Sequence, residues 1–266
     1  MVKKEYLNLA LEASVRAGGT IMEIYGTGFS VAKKEDSSPV TEADLIANKI
    51  ICDILEQTPF PIISEENKRI DFSERKKWKT CWIVDPLDGT KEFVNRNGEF
   101  TVNIALVENG IPVLGIIYIP VSKLLYFTSE NMENAYKIDL SKNKIEDYNT
   151  IRQFSERIFP KKDLKTHRVL ASRSHLNDAT KNYIEKLKEA HSVELVQKGS
   201  SLKFCALAEG IADIYPRFSP TMEWDTAAGH AICKAVGVEV YNFETKKPLF
   251  YNKENLMNPS FLAELI

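Results

Sequence analysis

Cysteine is scarce in this chain and never closely spaced. Cys52, Cys81, Cys205 and Cys233 are the only four, none in CxxC spacing and each among apolar neighbours. They read as reduced core thiols, which excludes a disulfide scaffold and a thiolate zinc site. Histidine is equally sparse: His167, His175, His191 and His230 never fall in HxxxH spacing, so the helical zinc signature is absent too. No apolar run approaches the roughly 18 residues that span a bilayer, and MVKKEYLNLALEAS at the N-terminus has no apolar signal core or cleavage site. The expectation is a soluble, cytoplasmic protein with no transmembrane segment. An excess of one charge is also lacking. With 35 Lys and Arg against 37 Asp and Glu, the net −2 is too balanced for a protein that coats nucleic acid. Gly18-Gly19 is not followed by a P-loop Lys-Ser/Thr, which argues against a nucleoside-triphosphate cradle.

What the chain does have is apolar residue, 44% of 266, enough for one large domain or two lobes of about 130 to 150 residues each. Leu7, Leu11, Val15, Ile21, Met22 and Tyr25 recur at helical spacing and predict a helix over about 4–25; a second is predicted over about 42–57. Strands are predicted at 60–64 and 80–84. A hairpin turning on Asn109-Gly110 follows within 100–120, and KLLYFTS and NAYKID extend it into a meander. Residues 140–165 are polar and aperiodic and read as a joint. Beyond it, RVLAS, a helix near 177–190, SVELV, a helix near 200–209, ADIYP, a helix near 225–236 and VEVYNF alternate as in a layered α/β unit. The expected organisation is an N-terminal α+β lobe over 1–150 and a C-terminal α/β lobe over 151–266.

Chemistry concentrates in the acidic residues. The apolar run Trp82-Ile83-Val84 ends on Asp85-Pro86-Leu87-Asp88-Gly89-Thr90, PIISEE (61–66) delivers Glu65 and Glu66 at a strand exit, and EWDTAAG (223–229) sets Asp225 at a strand-to-helix corner. A structural reading exists for each. Asp85, Pro86 and Asp88 suit the first positions of a capped helix; Thr41-Glu42-Ala43-Asp44 is a capping box; Asp225 can cap the helix after Trp224. The functional reading is that carboxylates at element ends converge in one cleft, where like charges demand protons or cations, and all-oxygen ligation selects Mg²⁺. Pro86 stiffens the turn so that Asp85 and Asp88 diverge, able to reach ions about 3.5–4 Å apart. The Leu87 carbonyl offers another hard ligand, and Gly89-Thr90 at a helix start can seat a phosphate.

WIVDPLDGTKEF, with PIISEE upstream and WDTAAGHAI downstream, resembles the inositol monophosphatase superfamily of Mg²⁺-dependent, lithium-sensitive phosphatases. Within it, DPLDGTKEFVNRNGEFTVNIALVENG, ASRSH, GSSLKFCALAEG and YPRFSPTMEWDTAAGHA resemble the bacterial CysQ-type 3′(2′),5′-bisphosphate nucleotidases. The resemblance implies a two-lobe α-β-α-β-α sugar-phosphatase fold with the site between the lobes. It implies that Glu65, Asp85 and the Leu87 carbonyl bind one Mg²⁺ and that Asp85 bridges to a second held by Asp88 and Asp225, a third ion being left open. Asp44 with Thr90, and Glu65 beside them, would align and deprotonate the attacking water, while Gly89 and Thr90 hold the reacting phosphate. The activity implied is removal of the 3′-phosphate from adenosine 3′,5′-bisphosphate, giving AMP and phosphate. Action on 3′-phosphoadenylyl sulfate would tie it to sulfate assimilation. An inositol monophosphatase or broad sugar phosphatase is the alternative.

A second phosphate needs cationic contacts beyond the ions. Lys203 in GSSLKF and Arg217 in YPRF are candidates, with Ser200 adding hydroxyl and N–H donors. His175 matches a position near the nucleoside in related nucleotidases, and Lys34 lies in the loop before Thr41. His230 reads as packing. Monomer and homodimer, and peripheral contact with a membrane face, stay open.

Overall fold

The computed structural model describes residues 2–33, 39–145, 147–161, 165–171 and 177–265. The chain opens with helix α1 (Lys4–Tyr25), a short antiparallel pair β1 (Val31–Lys33) and β2 (Pro39–Thr41), and helix α2 (Glu42–Leu55). Next come β3 (Ile62–Ser64), α3 (Phe72–Arg75), β4 (Thr80–Asp88) and the short helix α4 (Thr90–Val94). The meander is β5 (Thr101–Glu108), β6 (Ile111–Ile119), β7 (Leu124–Thr128) and β8 (Ala135–Asp139), followed after a 3₁₀ turn by β9 (Glu156–Ile158). The remainder is β10 (Thr166–Ala171), α5 (Asp178–Ala190), β11 (Ser192–Gln197), α6 (Leu202–Ala208), β12 (Ile214–Arg217), α7 (Glu223–Lys234), β13 (Val238–Asn242) and β14 (Phe261–Leu265).

Strands β3 to β9 form one seven-stranded sheet in sequence order, parallel only between β3 and β4. The other sheet runs β11-β10-β12-β14-β13 and is mixed. Both faces of the larger sheet are covered, which is why β4 reads as an unbroken apolar run instead of an alternating one. Trp82 and Val84 point to one side, into a core with Leu7, Leu11 and Ile21 of α1 and Ile51 of α2. Cys81 and Ile83 point to the other, into a core with Ala227, Ala228 and Ile232 of α7 and Phe204 of α6. The smaller sheet closes over that second core through Tyr215, Val240 and Phe261, and its outer face packs Val169, Ile214 and Leu262 on Ile184 of α5. The layers are therefore α1/α2, sheet, α6/α7, sheet, α5.

Local sequence explains several of these elements. Asn109 and Gly110 both adopt positive φ, 49° and 74°, as a two-residue type I′ hairpin turn requires. Gly18 faces Tyr118: a Cβ there would lie 2.4 Å from the ring, so the glycine permits close helix-to-strand packing. Four strands depart from the sequence expectation, β1 and β2 among them, each only three residues long and too short to carry a pattern. β9 lies inside the stretch read as a joint; it is three residues long with only Ile158 buried, too little apolar pattern to register. β14 inserts between β12 and β13, so the C-terminal sheet is not the simple alternation of strand and helix that the sequence suggests. The capped-helix reading of Asp85 also fails, because β4 continues through Asp88 and the helix starts only at Thr90.

Candidate active site

Asp85 and Asp88 stand three residues apart, a spacing that would put them on opposite faces of a regular strand. The pairing with β5 shows why they do not. Asp85 lies opposite Asn103 and Asp88 opposite Thr101, so β4 uses three steps where β5 uses two. The extra residue is a bulge, and it returns both carboxylates to the face shared by Asn103 and Thr101. Pro86, with no N–H to place in the ladder, fits the interruption. The Leu87 N–H turns back to Asp85 Oδ1 at 3.1 Å.

Other elements bring further acids to this corner. β3 runs parallel to β4 and ends beside it, the Glu65 N–H donating to the Val84 carbonyl at 3.2 Å. Asp225 lies at the third position of α7, where its Oδ2 accepts from the Met222 N–H at 2.7 Å; it helps to cap the helix, but from inside, since the helix starts at Glu223 and not after Trp224 as the sequence suggests. One carboxylate oxygen from each of Glu65, Asp85 and Asp225 lies within 4.8 Å of the others. Asp85 is 1% exposed, and burial, then Glu65, Asp88, Asp225 and Asp44, raise its carboxyl well above the usual range. Asp225 is pushed up to about 8, chiefly by burial and then by Asp88. Such a group holds protons or a cation. Its donors are all hard oxygens, with no imidazole or thiolate among them, and they fit a hard divalent ion.

Asp44 serves two structural roles at once. Its Oδ2 accepts from the Thr41 N–H at 2.8 Å and the Thr41 hydroxyl at 2.6 Å, completing the capping box of α2, while Oδ1 accepts from the Thr90 hydroxyl at 3.0 Å. Burial raises its carboxyl despite those donors. Gly89, at φ 95°, makes the left-handed step from β4 into α4. With only five residues that helix has little macrodipole, and what its start offers the cleft is backbone N–H groups.

Glu65, Asp85, Leu87, Asp88, Gly89, Thr90, Ser200, Lys203, Arg217 and Asp225 line one cleft of about 420 Å³. Arg217 donates from Nη2 to the Pro220 carbonyl at 3.4 Å, while its buried Nε has no hydrogen-bond partner among the described residues. Lys203 is buried, Nζ donating to the carbonyls of Ser200 at 2.9 Å and Lys198 at 3.2 Å. Burial pushes its ammonium down to about 8. Asp88 stands outside the trio of carboxylates, its Oδ2 accepting from the Ser200 hydroxyl at 2.6 Å, the Ser201 N–H at 2.7 Å and the Ser201 hydroxyl at 2.8 Å. His175 and Lys34 lie outside the described residues. His230 is buried against Tyr251, as read from the sequence.

Asn103, Ser201 and Glu99 support this site but were not singled out in the sequence, whereas Thr41 was read only as part of the capping box. Glu99 accepts from the Gly199 N–H at 2.9 Å. Asn103 carried a signal, a lone amide within the apolar run VNIALV, since buried polar groups need partners.

The profile described as the inositol monophosphatase family matches residues 2–266. A Salmonella typhimurium protein named 3′(2′),5′-bisphosphate nucleotidase CysQ is 43% identical over 249 residues, covering 92% of this chain and 94% of that one. The Escherichia coli K12 protein of the same name is also 43% identical, over 264 residues, covering 97% and 99%. Among solved structures, CysQ from Bacteroides thetaiotaomicron, described as a bacterial member of the inositol monophosphatase family, superposes with a TM-score of 0.87 at 50% identity, covering 97% of this chain and 96% of that one. The extragenic suppressor protein suhB from Bartonella henselae follows the same fold, with a TM-score of 0.75 at 25% identity, covering 97% and 93%. On this match over its whole length and the carboxylate corner it folds to build, the chain belongs to the inositol monophosphatase family.

Proposed function

We propose that this chain is a magnesium-dependent phosphatase that removes the 3′-phosphate of adenosine 3′,5′-bisphosphate, releasing AMP and phosphate, with 3′-phosphoadenylyl sulfate as a second substrate. The observation that carries this reading is one cleft holding both a carboxylate corner and a half-buried arginine whose inaccessible Nε lacks a partner among the described residues. The first feature suits cations and the second suits an anion set apart from them. That pairing matches a substrate with two phosphates better than one with a single phosphate. Relatives at 43% identity carry the name of that nucleotidase activity.

Glu65, Asp85, Asp225 and Asp88, with the Leu87 carbonyl, would hold two magnesium ions, which when bound acidify water and stabilise the leaving oxygen. The Thr90 hydroxyl spends its single hydrogen on Asp44, so its lone pairs can accept from a water placed above Thr90. A proton leaving that water passes to Thr90 Oγ1 as the hydroxyl hydrogen moves to Asp44 Oδ1, with Glu65 lining the same cleft. N–H groups at Gly89 and Thr90 orient the phosphoryl oxygens, and Arg217 with the Ser200 backbone N–H holds the remote phosphate. The test is phosphate release from adenosine 3′,5′-bisphosphate and from inositol 1-phosphate, with magnesium and with added lithium. Faster magnesium-dependent, lithium-inhibited release from the bisphosphate is expected; equal rates on both esters would favour a broad sugar phosphatase.

A further inference from the structure

Behind Asp88 the polar side chains close into a ring. Asn103 Nδ2 lies 2.8 Å from Ser201 Oγ, Ser201 Oγ 2.8 Å from Asp88 Oδ2, and Ser200 Oγ 2.6 Å from the same oxygen. Thr101 Oγ1 lies 2.9 Å from Ser200 Oγ and 3.0 Å from Asn103 Oδ1. Asn103, Thr101 and Ser201 are each no more than 1% exposed. The ring joins β5 of the larger sheet to the segment that starts α6.

Counting hydrogens fixes its polarity. The Asp88 carboxylate and the Asp225 carbonyl, 3.2 Å from Ser201 Oγ, both accept, so Ser201 spends its one hydroxyl hydrogen on that side and can take from Asn103 only by accepting. The amide therefore presents Nδ2 to Ser201 and Oδ1 to Thr101. Oδ2 of Asp88 takes these donors and, more weakly at 3.5 Å, Asn103 Nδ2 itself, and among the described residues no hydrogen bond falls on Oδ1. We propose that Asn103 is a positioning residue for the cation site: through Ser201 it holds Asp88 by one oxygen and leaves the other for the cleft. This rests on the cation-binding reading above. An aspartate at 103 would reverse the polarity, since Ser201 would face two carboxylates with one hydrogen, and a further charge would enter a buried position.

The role is tested by calorimetric titration of magnesium into the wild-type chain, Asn103→Asp, Ser201→Ala and the double variant. Thermal melts without metal and steady-state kinetics on adenosine 3′,5′-bisphosphate accompany the titrations. Expected for both single variants is magnesium affinity weaker by about tenfold or more, with kcat lowered and KM little changed. The double variant is expected to be no weaker than the poorer single, because both substitutions break one path. Ser201→Ala removes a single oxygen, so it reports even if Asn103→Asp folds poorly. Melting temperatures that fall while magnesium affinity stays within about twofold of wild type in both variants would overturn the role of Asn103. No magnesium uptake by the wild-type chain would overturn the cation-binding reading and this inference with it.

Discussion

Arg217 is the residue on which substrate choice depends in this account. A buried guanidinium nitrogen without a partner is costly in the free protein, and an incoming phosphate would relieve that cost. Arg217→Ala is expected to raise KM for the bisphosphate by tenfold or more, about 1.4 kcal/mol, while changing KM for inositol 1-phosphate little. Parallel kinetics on the two esters read the difference, and equal changes would remove Arg217 from the specificity role. Lys203 is less diagnostic, because its two carbonyl contacts make it a support for the loop that carries Ser200. The acids make a separate prediction. Asp225 binds its proton up to about pH 8 in the folded chain, whereas the unfolded chain releases it near the ordinary 3.8. The folded state thus carries the extra proton, and the stability this brings is lost as pH rises through 8. His230, pushed down to about 3 by burial, works the opposite way below about 6.5, and Lys203 acts only above 8. Melting of metal-free protein should therefore fall between about pH 6.5 and about pH 8, and excess magnesium should raise and flatten it. A profile that magnesium leaves unchanged would count against the cation site.

At the scale of elements, one local motif often serves folding and chemistry together. Thr41-Glu42-Ala43-Asp44 was legible in the sequence as a capping box, and Asp44 is that cap while also receiving the Thr90 hydroxyl. The two readings of Asp225 coexist in the same way. Asp85-Pro86-Leu87-Asp88 was harder, because a bulge depends on the partner strand and nothing within these four residues announces Asn103 and Thr101 opposite them. β9 and β14 stayed hidden for different reasons: β9 has three residues with one buried side chain, whereas β14 inserts beside β12, a strand far back in the sequence. The double duty of Thr41 is testable. Thr41→Val removes the side-chain cap of α2 and one of the two Thr41 donors to Asp44. A loss of about 1 kcal/mol in urea denaturation is expected, together with a several-fold fall in kcat at unchanged KM. The same stability loss with full kcat would leave the cap purely structural.

At the scale of the whole molecule, the site exists because α7 is packed between the two sheets with its first turn at the exits of β3 and β4. What holds that turn is a buried acid beside Asp225. Glu223 is fully buried and accepts from the backbone N–H groups of Asn252 and Lys253 and from the Lys253 ammonium. Arg75 ties the same loop to α3 through the carbonyls of Lys253 and Glu254. Burial raises the Glu223 carboxyl and Lys253 opposes that rise, so the pair is needed mainly because the acid is already inside. Lys253→Met should cost about 3 kcal/mol, since it strands a buried carboxylate, and should lower the melting temperature by several degrees. Adding Glu223→Gln should recover part of that loss, because the amide carries no charge and its oxygen can still accept from a backbone N–H. If the double variant melts below Lys253→Met, the Glu223 carboxylate contributes favourably even without its lysine, and the two backbone N–H groups suffice to anchor the helix start that carries Asp225.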